Sequence, residues 1–342
     1  MDHLVPTFLP QVQHQDNAHS KRIYTIQATT NLIVSGSADG SIRVWSKRQA
    51  ALTLPPLISP NQQASILAVA VSEELDIVLG GNSLGNITIW RLSNGVLLHT
   101  QGCHKEAVLA ISLDKSTVVT TSRDQTALVW DLETEPCGMH LRHTLRGHSM
   151  AVLSARLSEQ YIYTSSGDKT FRLWDRDSGS LVRDVAQNAS ANQFQLIEST
   201  IVLCACTDNT VRLSNIESGT DLACLQGHTN VVRAVEVIEK ADSRADSKSS
   251  IDYLQVASAS YDGTIRIWAI HHKESIPWTC LRILSFSDMV LTPLPSLSRH
   301  AMETSLATGT VEVHRVMDMA LDGRFLYCCG EAAEIVCWHL PE

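Results

Sequence analysis

The chain has 342 residues, 44% of them hydrophobic, and a formal net charge of −9. That length suits one large repeat domain or two ordinary ones with a sizeable core, and the negative charge argues against a basic coat for nucleic acid or an anionic membrane. Nine cysteines without a Cys-x-x-Cys pair, and fourteen histidines without His-Glu-x-x-His spacing, point to reduced buried thiols, with neither metal nor cofactor expected.

The first twenty residues, MDHLVPTFLPQVQHQDNAHS, carry no basic leader, and no apolar run approaches a bilayer span. A cytoplasmic or nuclear protein away from membranes is expected. Within that start, residues 4–12, LVPTFLPQV, hold two prolines, which suit an outermost strand. A recurring pattern follows. SGSADGSIRVW ends at Trp45, GGNSLGNITIW at Trp90, TSRDQTALVW at Trp130 and SSGDKTFRLW at Trp174. CTDNTVRLS ends at Ser214, SASYDGTIRIW at Trp268 and CCGEAAEIVCW at Trp338. Six residues before these ends stand Asp39, Leu84, Asp124, Asp168, Asp208, Asp262 and Ala332; twenty further back stand His19, Ala64, His104, His148 and Asn188. His228 precedes Asp262 by 34 residues, and the hydrophilic insert 239–252 accounts for the excess of 14.

A period of 40–45 residues ending in Trp-Asp, kept at Trp130-Asp131 and Trp174-Asp175, is the sequence sign of a WD40 β-propeller with four strands to a blade. The spacing has a physical purpose. A loop His, a turn Asp, a strand hydroxyl (Ser35, Thr120, Thr164 or Ser258) and the Trp indole N–H can satisfy one another inside a blade. Blades one, three, four and six are complete in this sense; two, five and seven are degenerate.

Seven repeat ends predict an all-β, seven-bladed propeller that occupies the whole chain as one domain. The chain stops just after Trp338, so the last blade lacks an outer strand, and residues 4–12 are expected to supply it and close the ring. PWTCLRILSF reads as the outer strand of blade six, whereas the stretch 285–313 is a second insert, with a shrunken eighth blade as its alternative.

Gly81-Asn82-Ser83-Leu84-Gly85 matches the Gly-x-Ser-x-Gly nucleophile elbow, which needs a helix after the turn. Here NITIW follows as a strand, and no enzyme is expected. Binding is the better expectation. The residue before the turn Asp and those three to five after the loop His should reach one face of the ring: Arg22, Tyr24, Ala38, Arg123, Gln193, Arg233, Tyr261, Arg315, Met317 and Glu331. Four arginines on one face of an acidic protein suggest a local anion site.

Blades three to seven also resemble the propeller of the β-transducin repeat-containing F-box/WD proteins, substrate receptors of SCF ubiquitin ligases. HKEAVLAISL, SSGDKTFRLW, TDNTVRLSNIESG, GHTNVVRAV, SASYDGTIRIW and HRVMDMALDGRFL carry the resemblance. It implies a face that reads an acidic, doubly phosphorylated peptide, with Arg233, Tyr261 and Arg315 on contact positions and Arg123 where the family has Lys. Two departures reduce that expectation to one phosphate or a pair of carboxylates. Ser190-Ala191 replaces an Arg-Gly pair, and Ala38 replaces another Arg. The 18 residues ahead of His19 are too few for an F-box. The expected partner is therefore a protein or peptide, acidic or phosphorylated, bound by a monomeric ring within a larger complex. The alternative is a scaffold subunit that uses its sides or its inserts.

Overall fold

Runs such as Ile-Arg-Val-Trp and Phe-Arg-Leu-Trp, separated by short polar turns, alternate between two buried faces, as strands packed between neighbouring sheets must. The computed structural model describes residues 6–10, 17–60, 64–134, 137–242, 251–271, 278–286, 289 and 314–340. These form seven antiparallel sheets arranged as blades. The innermost strands are Ile23–Ala28, Ile66–Ser72, Val108–Asp114, Val152–Leu157, Ala191–Leu196, Val232–Asp242 and Val316–Asp322. In the first six blades the remaining strands follow outward in chain order.

Blade seven differs as the strand count requires. Its outer strand is Thr7–Leu9, antiparallel to Ile335–His339 with Leu9 opposite Ile335 and Thr7 opposite Cys337. The chain's start thus closes the ring, with Leu9 buried beside Ile23, Trp45 and Tyr327. Blade six keeps its outer strand at Thr279–Ser285. Its first hairpin runs on to Asp242 paired with Ile251, so both ends of the expected insert 239–252 are strand. Residues 243–250, and 290–313 with the alternative eighth blade, lie outside the described residues.

Four blades hold the expected relay. In blade four, His148 Nδ1 meets Asp168 Oδ2 at 3.0 Å, His148 Nε2 meets Thr164 Oγ1 at 2.9 Å, and Trp174 Nε1 donates to Thr164 Oγ1 at 2.9 Å. The same chain links His19, Asp39, Ser35 and Trp45 in blade one. It recurs through His104, Asp124, Thr120 and Trp130, and through His228, Asp262, Ser258 and Trp268. Every polar atom has a role if the imidazole is neutral: the indole N–H donates to the hydroxyl, the hydroxyl to Nε2, and Nδ1–H to the carboxylate. Burial pushes the pKa of His19, His104 and His148 down, which keeps that form. Burial alone would raise the Asp168 carboxyl; the Thr170 hydroxyl, the Ser149 N–H and the His148 ring outweigh it and hold it at about 2.

The other blades solve the same problem with different residues. In blade two Gly80 stands where the hydroxyl would be, and a Cβ there would lie 2.5 Å from Ile42 Cδ1 and 3.1 Å from Trp90 Cζ3. Its turn is held by Asn82 Oδ1, which accepts from Leu84 N at 2.9 Å and Asn86 N at 3.1 Å. Blade five has neither the His nor the Trp. There Arg212 donates to Asp208 and Asp221, and Ser214 Oγ donates to Asp221 Oδ1 at 2.7 Å. Blade seven places the buried thiol of Cys328 ten residues before Trp338.

Candidate peptide-binding face

All seven innermost strands change register one residue after they begin. The extra residue of such a bulge leaves the ladder, and here it turns into the central channel. Tyr24, Leu67, Leu109, Leu153, Asn192, Arg233 and Met317 are these seven residues, and all line a cavity of 390 Å³ on the ring axis. Three consecutive blades, two to four, contribute leucine. Blades five, six, seven and one contribute Asn, Arg, Met and Tyr.

The charged groups gather above this second side. The guanidinium carbon of Arg233, from blade six, lies 5.8 Å from the Tyr261 ring centre, and that of Arg315, from blade seven, lies 5.4 Å from the same ring. Such cation–π contacts are worth about 0.5–1 kcal/mol at exposed sites and hold two like charges near one phenol. Blade one adds Arg22 through Glu331. The Glu331 carboxylate accepts Arg315 N–H at 3.2 Å, with Oε1 3.8 Å from Arg315 Nε and 4.0 Å from Arg22 Nη1. Beside it, Lys21, Arg22, Tyr24, Ser65 and Glu331 line a depression of 700 Å³. Arg22 and Arg315 are about half exposed, so their charges are open to a ligand, while Arg233 Nε is buried without a partner.

The expected residues therefore divide. Arg22, Tyr24, Arg233, Tyr261 and Arg315 share one sector of the mouth. Arg123 is exposed at the corresponding turn of blade three, across the ring from blade six. Met317 stands at the bulge of its blade like Tyr24 and Arg233 and lines the same channel, but at 6% exposed it is largely covered where they are half-buried. Leu67, Leu109, Leu153 and Asn192 were missed as mouth residues. The signal was present for four blades, since Tyr24, Leu109, Leu153 and Arg233 each stand five residues after a relay His. Gly81–Gly85 spans the end of one strand and a tight turn, and the strand Asn86–Arg91 follows it where the elbow needs a helix.

A family model described as WD domain, G-beta repeat, matches residues 10–46, 95–131, 139–175 and 219–269. Those segments contain the four complete relays. Nuclear distribution protein PAC1 of Kluyveromyces lactis is 24% identical over 323 residues, 91% of this chain and 68% of that protein. Autophagy-related protein 16 of Arabidopsis thaliana is 25% identical over 142 residues, which are 40% of this chain and 27% of that protein. The crystal structure of the WD40 β-propeller domain of Doa1 superposes with a TM-score of 0.72 at 18% identity, over 100% of this chain and 98% of that one. That likeness is one of fold. No helix among the described residues is long and apolar enough to cross a membrane.

Proposed function

We propose that the mouth of the channel in this seven-bladed propeller binds an acidic or singly phosphorylated peptide of a partner protein, as a substrate receptor does. The observation that carries this reading is the Tyr261 ring set between Arg233 and Arg315, guanidinium groups from two blades that converge on one phenol, with Glu331 offsetting part of the Arg315 charge from the other side. Arg donors suit phosphate and carboxylate oxygens, and the phenol adds a hydroxyl. WD40 propellers generally work as protein-interaction modules, and a cluster at the mouth is where a peptide can be read end-on.

The test measures acidic and singly phosphorylated peptides against the wild-type chain and the double variant Arg233→Glu, Arg315→Glu, by fluorescence anisotropy at two salt concentrations. Each charged contact is worth about 1.5–3 kcal/mol, so the double variant loses at least tenfold in affinity. Wild-type binding also weakens as salt rises, because the face is open to solvent. Peptides that bind both proteins equally overturn the reading. A scaffold role then takes its place, favoured by the blade-six hairpin that runs on to Asp242.

A further inference from the structure

Three residues past the bulge residue, the inner strands again point inward, and there the channel carries Gln27, Arg156, Gln195 and Glu236, with Asp318 one layer above. We propose that this mid-channel layer is a second binding site, separate from the mouth, in which the Arg156 guanidinium holds one oxyanion of carboxylate or phosphate size.

Arg156 comes from blade four and crosses toward blades five, six and seven. Its guanidinium carbon lies 5.9 Å from the centre of the Phe194 ring. Among the described residues its one hydrogen bond runs from Nη1 to its neighbour's carbonyl, Ala155 O, at 3.0 Å, and no carboxylate lies within 4.0 Å to form an ion pair. None of its nitrogens is both buried and unpaired, so the rest of its fork opens to the channel and is available to an acceptor held there. The two acids in reach do not serve as that acceptor. Asp318 Oδ2 already accepts Ile26 N–H at 3.0 Å, and Oδ1 accepts Met319 N–H at 2.9 Å.

Glu236 takes the other role. Burial pushes its pKa up to about 8 against the pull of Arg156, with the Asp318 charge adding to the rise. At neutral pH it is therefore a neutral acid whose O–H can donate to an oxyanion held by Arg156. The groups that face Glu236 are Arg156 from blade four, Asp318 from blade seven, Arg233 on its own strand, and the amides of Gln193 and Gln195 from blade five. With Glu236 protonated, the anion would be held by the free N–H groups of Arg156 and the O–H of Glu236 together, not by a surplus of positive charge in this layer.

Sulfate is the probe, because its charge is constant between pH 7 and 9. The full chain is titrated at fixed ionic strength by calorimetry, in the wild type and in Arg156→Gln, Glu236→Gln and Arg315→Glu. The expected result is a saturable site that falls at least tenfold in Arg156→Gln and that remains when Arg315→Glu has removed any sulfate held at the mouth. Wild-type binding should weaken from pH 7 to 9, and Glu236→Gln should remove that dependence. If Arg156→Gln fails to fold, Arg156→Lys keeps the charge, loses the fork and should bind several-fold more weakly. An acidic peptide that binds the mouth separates the two sources of oxyanion. Equal peptide affinity in wild type and Arg156→Gln assigns the site to a free ion, and a tenfold loss assigns it to an acid of the peptide itself. Sulfate binding lost in Arg315→Glu but kept in Arg156→Gln overturns the channel site while supporting the mouth. Sulfate and peptide binding that are both indifferent to Arg156 also overturn it.

Discussion

Asp168→Ala should cost far more stability than Leu84→Ala, although both residues stand six before their repeat's Trp. Asp168 accepts from His148 Nδ1 at 3.0 Å, Ser149 N at 2.9 Å, Thr170 N at 3.0 Å and Thr170 Oγ1 at 2.7 Å. Removing it takes the carboxylate from the enclosed His148 Nδ1–H and leaves it the neutral Thr170 Oγ1 at 3.1 Å, a loss of about 1–3 kcal/mol, while the other donors keep access to water and cost less. A loss of about 2–4 kcal/mol follows. Leu84 is 53% exposed and takes no part in a relay, so its truncation should stay within about 0.5 kcal/mol. Urea unfolding followed by tryptophan fluorescence and by circular dichroism measures both, and coincident transitions check that the ring unfolds as one unit. Equal losses for the two variants would refute the reasoning, because the blades would then gain nothing from the relay.

Deleting residues 1–12 should lower the melting temperature and produce oligomers on size-exclusion chromatography, since the edge of Ile335–His339 loses its partner. An unchanged melt and a monomeric profile would count against closure by Thr7–Leu9. Stability should also fall on both sides of neutrality. Below pH 6.5 the unfolded chain takes up protons at His19, His104 and His148, which the folded ring resists because burial lowers their pKa, so stability drops as pH falls by up to about 1.4 kcal/mol per unit for each. Glu236 acts in the opposite sense. The folded protein keeps its proton up to about pH 8, whereas the unfolded chain releases it near 4.3, so stability declines as pH rises through that window. Thermal melts from pH 5 to 9 should show the alkaline decline shrinking in Glu236→Gln and the acid decline remaining.

The relays were legible because their spacing is geometric. The residue opposite the Trp on the neighbouring strand stands twelve positions earlier, as Ile162 does for Trp174, the relay hydroxyl lies two places further along that strand, and the turn Asp must sit at the hairpin's end. Blade five escaped the pattern because its chemistry changed. Arg212 replaces a neutral His–Trp pair with an Asp–Arg–Asp network, and Asp221 comes from the outer strand, where the repeat has no landmark. The place of Met317 depends on a bulge, a shift of one residue that period-two alternation does not encode. The assembly of Arg233, Tyr261 and Arg315 was readable only once the blades were numbered, since 54 residues separate Tyr261 from Arg315 in sequence.

The same geometry bears on what the proposed mouth can accept. Leu67, Leu109 and Leu153 make its far side apolar, so a charged ligand group is favoured only over blades six, seven and one. On that side Arg22, Arg233 and Arg315 carry three positive charges, and Glu331, held between Arg22 and Arg315, cancels one of them. With the neighbouring Lys21 three remain, more than enough for one phosphate near neutral pH and short of two fully ionised ones. The loss of the blade-five Arg, where Ser190 and Ala191 are both buried, points the same way, because it removes the donor a second phosphate would need. A doubly phosphorylated peptide should therefore bind this face little better than its singly phosphorylated form. If the second phosphate instead improves affinity by tenfold or more, a cation outside this sector, Arg123 first among them, must be part of the site.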